Sequence, residues 1–292
     1  MRLELHCHST CSDGSLEPEQ LAQELLDYGV ELACLTDHDT MLGCDRLAAA
    51  FGGDPRGRGA RVLRGLELSC KHDGRTIHLL IWGVADGPGR DALELRLAEQ
   101  LRRRRERIVA ICERLAALNI DLDPAPILAR AAGRTAGRPD VAKALVEAGV
   151  CSSMRAAFDK YLRDGGPADV SIESLGLDEG LALGRAAGAR MALAHPHTLR
   201  HHAVVRELFV EFRGRGLEGI EAFYGHASPA RAEPWLRLAR ELDLVPTGGS
   251  DFHGEALANI KHPGIELPLA YGARLRSWLA DAPGISPASR SP

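Results

Sequence analysis

Short apolar runs alternating with amphipathic helical stretches constrain this chain more than any other feature. In the first part, LELHCH, VELACLTDHDT, RVLRGLELSC and RTIHLLIWGV each read as a strand bounded by Gly, Asp or Pro. EPEQLAQELLDYG and GCDRLAAAFG fall between them with helical spacing. Such runs suit strands buried between two layers, and repeated strand–helix units predict an α/β architecture with mainly parallel strands. From about residue 170 the pattern returns, with RMALAHPH, LEGIEAFY and LVPTGGSDFHG as strands among three predicted helices. The stretch between reads differently: LELRLAEQLRRRRERIVAICERLAALNI is one long helix, followed by shorter helical pieces and no strand. The expected organisation is a barrel-forming body over 1–93 and 166–283, a helical insertion over 94–165, and a flexible tail over 284–292.

Side chains able to bind metal recur at the ends of the predicted strands: His6 and His8, Asp13, Asp37-His38-Asp39, Glu67, His78, His195 and His197, then Asp251 and His253. Strand alternation puts Glu4, His6 and His8 on one face, with the two imidazoles about 7 Å apart at the backbone. That spacing suits two ligands of one ion and equally two ordinary histidines at a strand end. Singly, His78 reads as a core histidine, Glu67 as a buried acid paired with an arginine, and Asp251-Phe252-His253 as a turn. Together they are harder to dismiss, because acids and imidazoles buried without compensation are costly. In α/β barrels the loops after the strands also converge on one face. Imidazole and carboxylate without thiolate suit Mn²⁺, Fe²⁺ or Zn²⁺. The number of ligands fits two or three divalent ions, an arrangement used for in-line displacement on phosphate esters.

Composition excludes several classes. With 292 residues, 26% charged and 45% hydrophobic, the chain reads as a soluble globular protein. It has no apolar run of membrane-spanning length and no signal peptide ahead of the first strand. The seven cysteines are scattered without a CxxC pair, which predicts a reducing, cytoplasmic setting and no thiolate zinc site. A net charge of −4 offers no global attraction for nucleic acid. The run Arg102–Arg105 fans around its helix and reads as a solvated face.

HCHSTCSDGS, TDHDT, GLELS, IHLLIWG, AHPH and GSDFHG, in that order, resemble the motifs of the PHP (polymerase and histidinol phosphatase) family. The resemblance implies a distorted (β/α)7 TIM-like barrel with a trinuclear site, the insertion forming a cap over it. By that resemblance one ion takes His6, His8, Glu67 and Asp251; a second takes Glu67, His78 and His195; a third takes Asp13, His38 and His253. Manganese is the expected metal, with zinc or iron as alternatives. Asp13 departs from the histidine common in relatives.

The insertion, with GRPDVAKAL and FDKYLRDGGPADV, resembles a subgroup of 3′,5′-nucleoside bisphosphate phosphatases, some of which also act as 5′→3′ exonucleases on short RNA. Asp140 departs from the subgroup's GRPH pattern. The implied reaction removes the 3′-phosphate of a substrate such as adenosine 3′,5′-bisphosphate, giving AMP, by in-line attack of a metal-activated hydroxide. Asp251 would orient the nucleophile and His197 would serve as acid to the leaving oxygen. Arg134 and Arg138 would hold the second phosphate, and His197 and His226 would contact phosphate. A nucleotide, or a short oligonucleotide, is the expected partner, with no membrane and no obligate protein partner. The alternatives are an exonuclease, a histidinol-phosphate-type phosphatase and a non-catalytic PHP scaffold.

Overall fold

The apolar runs become eight strands: β1 (Arg2–Glu4), β2 (Leu32–Leu35), β3 (Arg61–His72), β4 (Arg75–Trp82), β5 (Arg190–Leu193), β6 (Leu217–Tyr224), β7 (Val245–Gly249) and β8 (Ile265–Glu266). A computed structural model describes them within residues 1–57, 59–131, 136–172, 174–256 and 260–285. The chain divides into two units, one of 1–94 with 175–292 and one of 95–174.

In the first unit the strands form one sheet in the order β7-β6-β5-β4-β3-β2-β1-β8. β1, β2 and β3 are parallel, as are β5, β6 and β7. The sheet curls until its ends meet: Asp251 N donates to His6 O at 2.6 Å and His8 N donates to Phe252 O at 2.9 Å. β8 is a short antiparallel addition to β1. The result is a nearly closed, distorted TIM-like barrel, as the sequence implies.

Besides β8, a strand in the middle of the sheet departs from the parallel expectation. β4 runs antiparallel to both β3 and β5. The β3–β4 turn is His72-Asp73-Gly74-Arg75, with Asp73 at φ 46° and Gly74 at φ 72°. Two consecutive left-handed residues, typically Asp-Gly, make the tight hairpin turn whose twist matches the strands. The HDGR sequence is therefore the overlooked local signal for this reversal. It brings His78, near the start of β4, to the end of the barrel reached by the exits of the parallel strands.

Leu3, Leu5, Leu32, Leu63, Leu80 and Trp82 share a buried core with Leu275 of the helix Leu269–Trp278 and with Leu279 just after it. The helix Pro18–Tyr28 opens with Pro18, ends at Gly29 in the left-handed region (φ 75°), and buries Leu21, Ala22, Leu25 and Leu26. Gly284 bridges to Leu63, and Ile285 N donates to Val62 O at 2.8 Å. Thus the first two residues of the expected tail are pinned to β3; residues 286–292 lie outside the described residues.

The second unit contains only helical segments among its described residues. Ile108, Ile111, Cys112 and Leu115 pack with Ile127, Val141, Leu145, Tyr161 and Leu162. Leu101, earlier in the same long helix, is 37% exposed. Arg102 and Arg103 pair along the helix with Glu106 and Glu99, both at 2.5 Å, as a solvated face would. All seven cysteines are free and buried. Among the described residues no helix is long and apolar enough to cross a membrane.

Trp82 is fully buried and its indole N–H donates to Leu5 O at 2.8 Å. Trp82→Phe strands that carbonyl, so urea denaturation is expected to show a loss of about 1–3 kcal/mol. An unchanged midpoint would mean that the hydrogen bond carries no stability.

Candidate metal centre

The site is made where strand pairing continues past the formal strand ends. Cys7 bridges to Phe252 and His38 bridges to Glu67, so the segments after β1 and β7 lie beside each other and the segment after β2 lies beside β3. Gly249 allows the approach, since a Cβ there would come within 2.4–2.5 Å of His6 Cβ and N. Backbone strain collects at the same place: Asp39, His195 and Asp251 have φ values of 55°, 27° and 56°.

Glu67, fully buried in β3, lies at the centre. Its Oε2 is 3.3 Å from His6 Nε2, 3.2 Å from His8 Nε2 and 3.1 Å from His38 Nδ1. Its Oε1 is 2.8 Å from both His78 Nδ1 and His195 Nε2. Asp251 Oδ1 lies 3.2 Å from both His6 Nε2 and His8 Nε2.

The donor atoms form three overlapping groups, each within 4.8 Å: His6, His8, Glu67 and Asp251; His38, Glu67 and His78; and His8, Asp13, His38 and His253. The first is the set implied for one ion. In the second, His38 stands beside Glu67 and His78, while His195 reaches the same Oε1 from another side. In the third, Asp13 sits 3.3 Å from His253 Nε2 and 3.7 Å from His38 Nε2, and His8 joins them.

The buried atoms His6 Nε2, His8 Nε2 and Glu67 Oε2 have no hydrogen-bond partner although they converge. Unsatisfied buried donors and acceptors are costly unless something else satisfies them. Two imidazole nitrogens and two carboxylate oxygens 3.2–3.3 Å apart form a donor set of the kind that takes a divalent ion at about 2.0–2.2 Å from each ligand. The residues fit a metal.

The electrostatics favour the same reading. Burial alone would raise Glu67, but the imidazoles of His38, His6 and His78 hold it well below the usual carboxylate range. Burial opposes charge on His8, yet the Asp251 and Glu67 carboxylates beside it push its pKa up to about 10. His6 is likewise raised against its burial, by Glu221, Asp251 and Glu67. Burial wins at His38, which falls to about 4. Asp13 and Asp251 overcome their burial through neighbouring imidazoles and stay well below the usual range.

The other acids of the site serve as supports. Asp37 accepts from Ser9 N, Ser9 Oγ and Ser12 Oγ at 2.5–2.7 Å, fixing the loop that carries Asp13. Asp39 accepts from Ser69 N at 2.7 Å. Glu4 accepts from His6 N and Ser250 N at 3.0 and 2.9 Å, binding β1 to the segment after β7. Two contacts escape sequence reasoning: Glu221, which accepts from His6 Nδ1 at 2.8 Å, and Tyr224, whose hydroxyl donates to Asp251 Oδ2 at 2.7 Å. An acid within the apolar run LEGIEAFY was the available signal for Glu221.

Among the expected substrate contacts described in the barrel unit, His197 adjoins the cluster. Its ring lies 4.5 Å from Tyr224 and 6.4 Å from His195, centroid to centroid. The exposed His226 lines the same cavity as His197, its ring tilted 4.1 Å from that of His262 and its Nε2 3.1 Å from His262 O. In the second unit, Arg138 spends one guanidinium nitrogen on Asp164 (2.6 Å) and Leu162 O (3.0 Å). Asp140 accepts from Gly137 N at 2.8 Å as a helix cap. Arg134 lies outside the described residues.

The PHP domain family model matches residues 4–120. A 5′-3′ exoribonuclease of Haemophilus influenzae is 32% identical over 255 residues, which span 86% of this chain and 90% of the relative. The chain belongs to the PHP family. It is also similar to a 3′,5′-nucleoside bisphosphate phosphatase of Chromobacterium violaceum, 30% identical over 271 residues that cover 89% of this chain and 90% of that one. A solved Chromobacterium violaceum structure, described as an amidohydrolase with bound sulfate and no metal, aligns with a TM-score of 0.76 and 28% identity, covering 93% and 96% of the two chains. This PHP protein is a metal-dependent phosphoesterase, a hydrolase that uses divalent cations.

Metal requires neutral imidazole, whereas His8 in the metal-free protein stays protonated until pH approaches about 10. Binding must therefore expel protons, and affinity should climb as pH rises from the ordinary imidazole range. Manganese calorimetry in buffers of different ionisation enthalpy reads this directly. Binding without proton release would contradict the charged state of His8.

Proposed function

We propose that this protein removes the 3′-phosphate of nucleoside 3′,5′-bisphosphates, such as adenosine 3′,5′-bisphosphate, with His6, His8, Asp13, His38, Glu67, His78, His195, Asp251 and His253 as metal ligands. The observation that carries the reading is Glu67: one buried carboxylate with imidazoles gathered on each of its two oxygens. A carboxylate so placed can serve two ions at once. Divalent cations held there, with manganese our proposed metal, supply charge neutralisation for a phosphoryl group and acidify water enough for attack at neutral pH.

The chain's own groups divide the remaining work. Asp251 offers Oδ1 toward the imidazoles while Tyr224 pins Oδ2, so its carboxylate is held in one orientation. That fixed carboxylate can align a nucleophile or take its proton. His197, beside Tyr224 at the edge of the cluster, would serve as acid to the leaving 3′-oxygen. No serine or cysteine nucleophile is needed.

Support for a nucleotide substrate comes from a cavity of about 790 Å³ in the barrel unit that reaches His197 and Tyr224. Phe223 and Trp235 give it apolar walls, and Arg231 adds a cation whose charge is felt at His197. Few convergent polar groups on an aromatic-rich wall suit a nucleoside with a second phosphate. Similarity to the Chromobacterium violaceum bisphosphate phosphatase favours the same substrate. The exoribonuclease relative favours a second reading, hydrolysis of short RNA from its 5′ end.

A phosphate-release screen of nucleoside 2′-, 3′-, 5′- and 3′,5′-phosphates with manganese tests the proposal. The 3′,5′-bisphosphate is expected to give the highest kcat/KM; activity confined to RNA ladders would favour the second reading. Arg231→Ala should raise KM for the bisphosphate about 10- to 100-fold, the worth of a charged hydrogen bond. It should leave kcat, and hydrolysis of a simple aryl phosphate, nearly unchanged. An unaltered KM would remove Arg231 from the phosphate site.

A further inference from the structure

The geometry points to Glu221 as a positioning residue that sets the ligands of two metal positions with one carboxylate. Glu221 lies on β6, is fully buried at the edge of the cavity beside Tyr224, and meets His6 on the ring nitrogen turned away from the converging donor atoms. Its Oε1 is 2.8 Å from His6 Nδ1, and its Oε2 accepts from the backbone N–H of His195 at 2.6 Å. His6 belongs to the group with His8 and Asp251, whereas His195 stands with His78 on the opposite oxygen of Glu67. The two oxygens of Glu221 thus act on ligands that meet the two different oxygens of Glu67.

Each contact has a distinct consequence. A carboxylate at His6 Nδ1 keeps the proton on that nitrogen and leaves the Nε2 lone pair for an ion. At His195 the backbone has turned to φ 27° and ψ 62°, immediately after β5 ends. Such a conformation persists only where its surroundings enforce it, and Glu221 supplies an anchor for the amide. The imidazole is then held from both ends, because Nε2 meets Glu67 Oε1 at 2.8 Å.

A carboxylate offers an acceptor oxygen to each of these donors. Glutamine has the same shape but presents one acceptor and one amide donor. Glu221→Gln must therefore oppose a donor to either the His195 amide or the His6 Nδ1–H. Aspartate keeps the charge but withdraws it by about 1.5 Å, too far to serve both partners.

This inference rests on the metal-ligand reading and not on the identity of the substrate, so its test is metal binding. Metal-free wild type, Glu221→Gln and Glu221→Asp are titrated with manganese against a competing chelator, and the folding of each is followed by circular dichroism and thermal midpoint. Both variants are expected to lose about 10- to 100-fold in affinity at two positions, the usual effect of removing a partner behind a ligand. Activity at saturating metal should fall through kcat with KM unchanged. Wild-type affinity and stoichiometry in Glu221→Gln would overturn the inference. Full recovery in Glu221→Asp would also do so, by showing that charge suffices without position.

A measurement on the wild type covers the case in which the variants do not fold. In cadmium-loaded protein labelled with ¹⁵N-histidine, His6 should carry its proton on Nδ1 and couple to the metal through Nε2. The opposite tautomer would sink the proposal. If wild type bound no metal, the ligand reading itself would fail. A wild type that bound metal but hydrolysed no bisphosphate would fail only the substrate proposal.

Discussion

A carboxylate buried in the middle of a strand is the constraint around which the barrel end is organised. Removing an ion from water costs several kcal/mol even after relaxation, and Glu67 is fully buried. Imidazoles from the segments after β1, β2 and β5 and from β4 compensate that cost. This requirement explains the local departures from regular structure. The β1 and β7 extensions must pair across Gly249 to bring His6 and His8 inward. β4 must reverse direction for its early residue His78 to reach the same end. Strain at His195 and Asp251 is the conformational counterpart of that convergence.

The cluster is uneven in charge, and the unevenness follows from its partners. His6 and His8 face two carboxylates and hold protons, whereas burial and neighbouring imidazoles keep His38 neutral. A divalent cation can replace those protons as the positive charge facing Glu67 and Asp251. The same low-dielectric setting amplifies the contacts of Glu221 and Tyr224, which orient groups without joining them.

Much of this was legible before any coordinates. His6, His8, Glu67 and Asp251 lie in short motifs, and their convergence follows once the strands are placed at one barrel end. Residue type did not, however, separate ligands from supports. Asp37, Asp39 and Glu4 look as able to bind metal as Asp13 or Asp251, yet they accept from serine hydroxyls and backbone amides. Arg138 and His226 have the right chemistry for phosphate, and their contacts with Asp164 and His262 could not be read from residue type. Which donor faces which acceptor depends on chain segments distant in sequence, and no periodicity records it.

The sequence by itself determined the alternation of strands and helices, the helical insertion, and the supply of imidazoles and carboxylates at strand ends. These follow from local rules: side chains alternate along strands, apolar faces repeat along helices, and turns need particular residues. Tertiary structure decided the closing of β1 onto β7, the sharing of Glu67 between two sets of imidazoles, and the recruitment of Glu221 behind both. Those outcomes depend on distances of 2.6–3.3 Å between residues as far apart as His6 and Asp251. Only the folded barrel sets such distances, because packing and strand register, rather than local preference, bring the segments together.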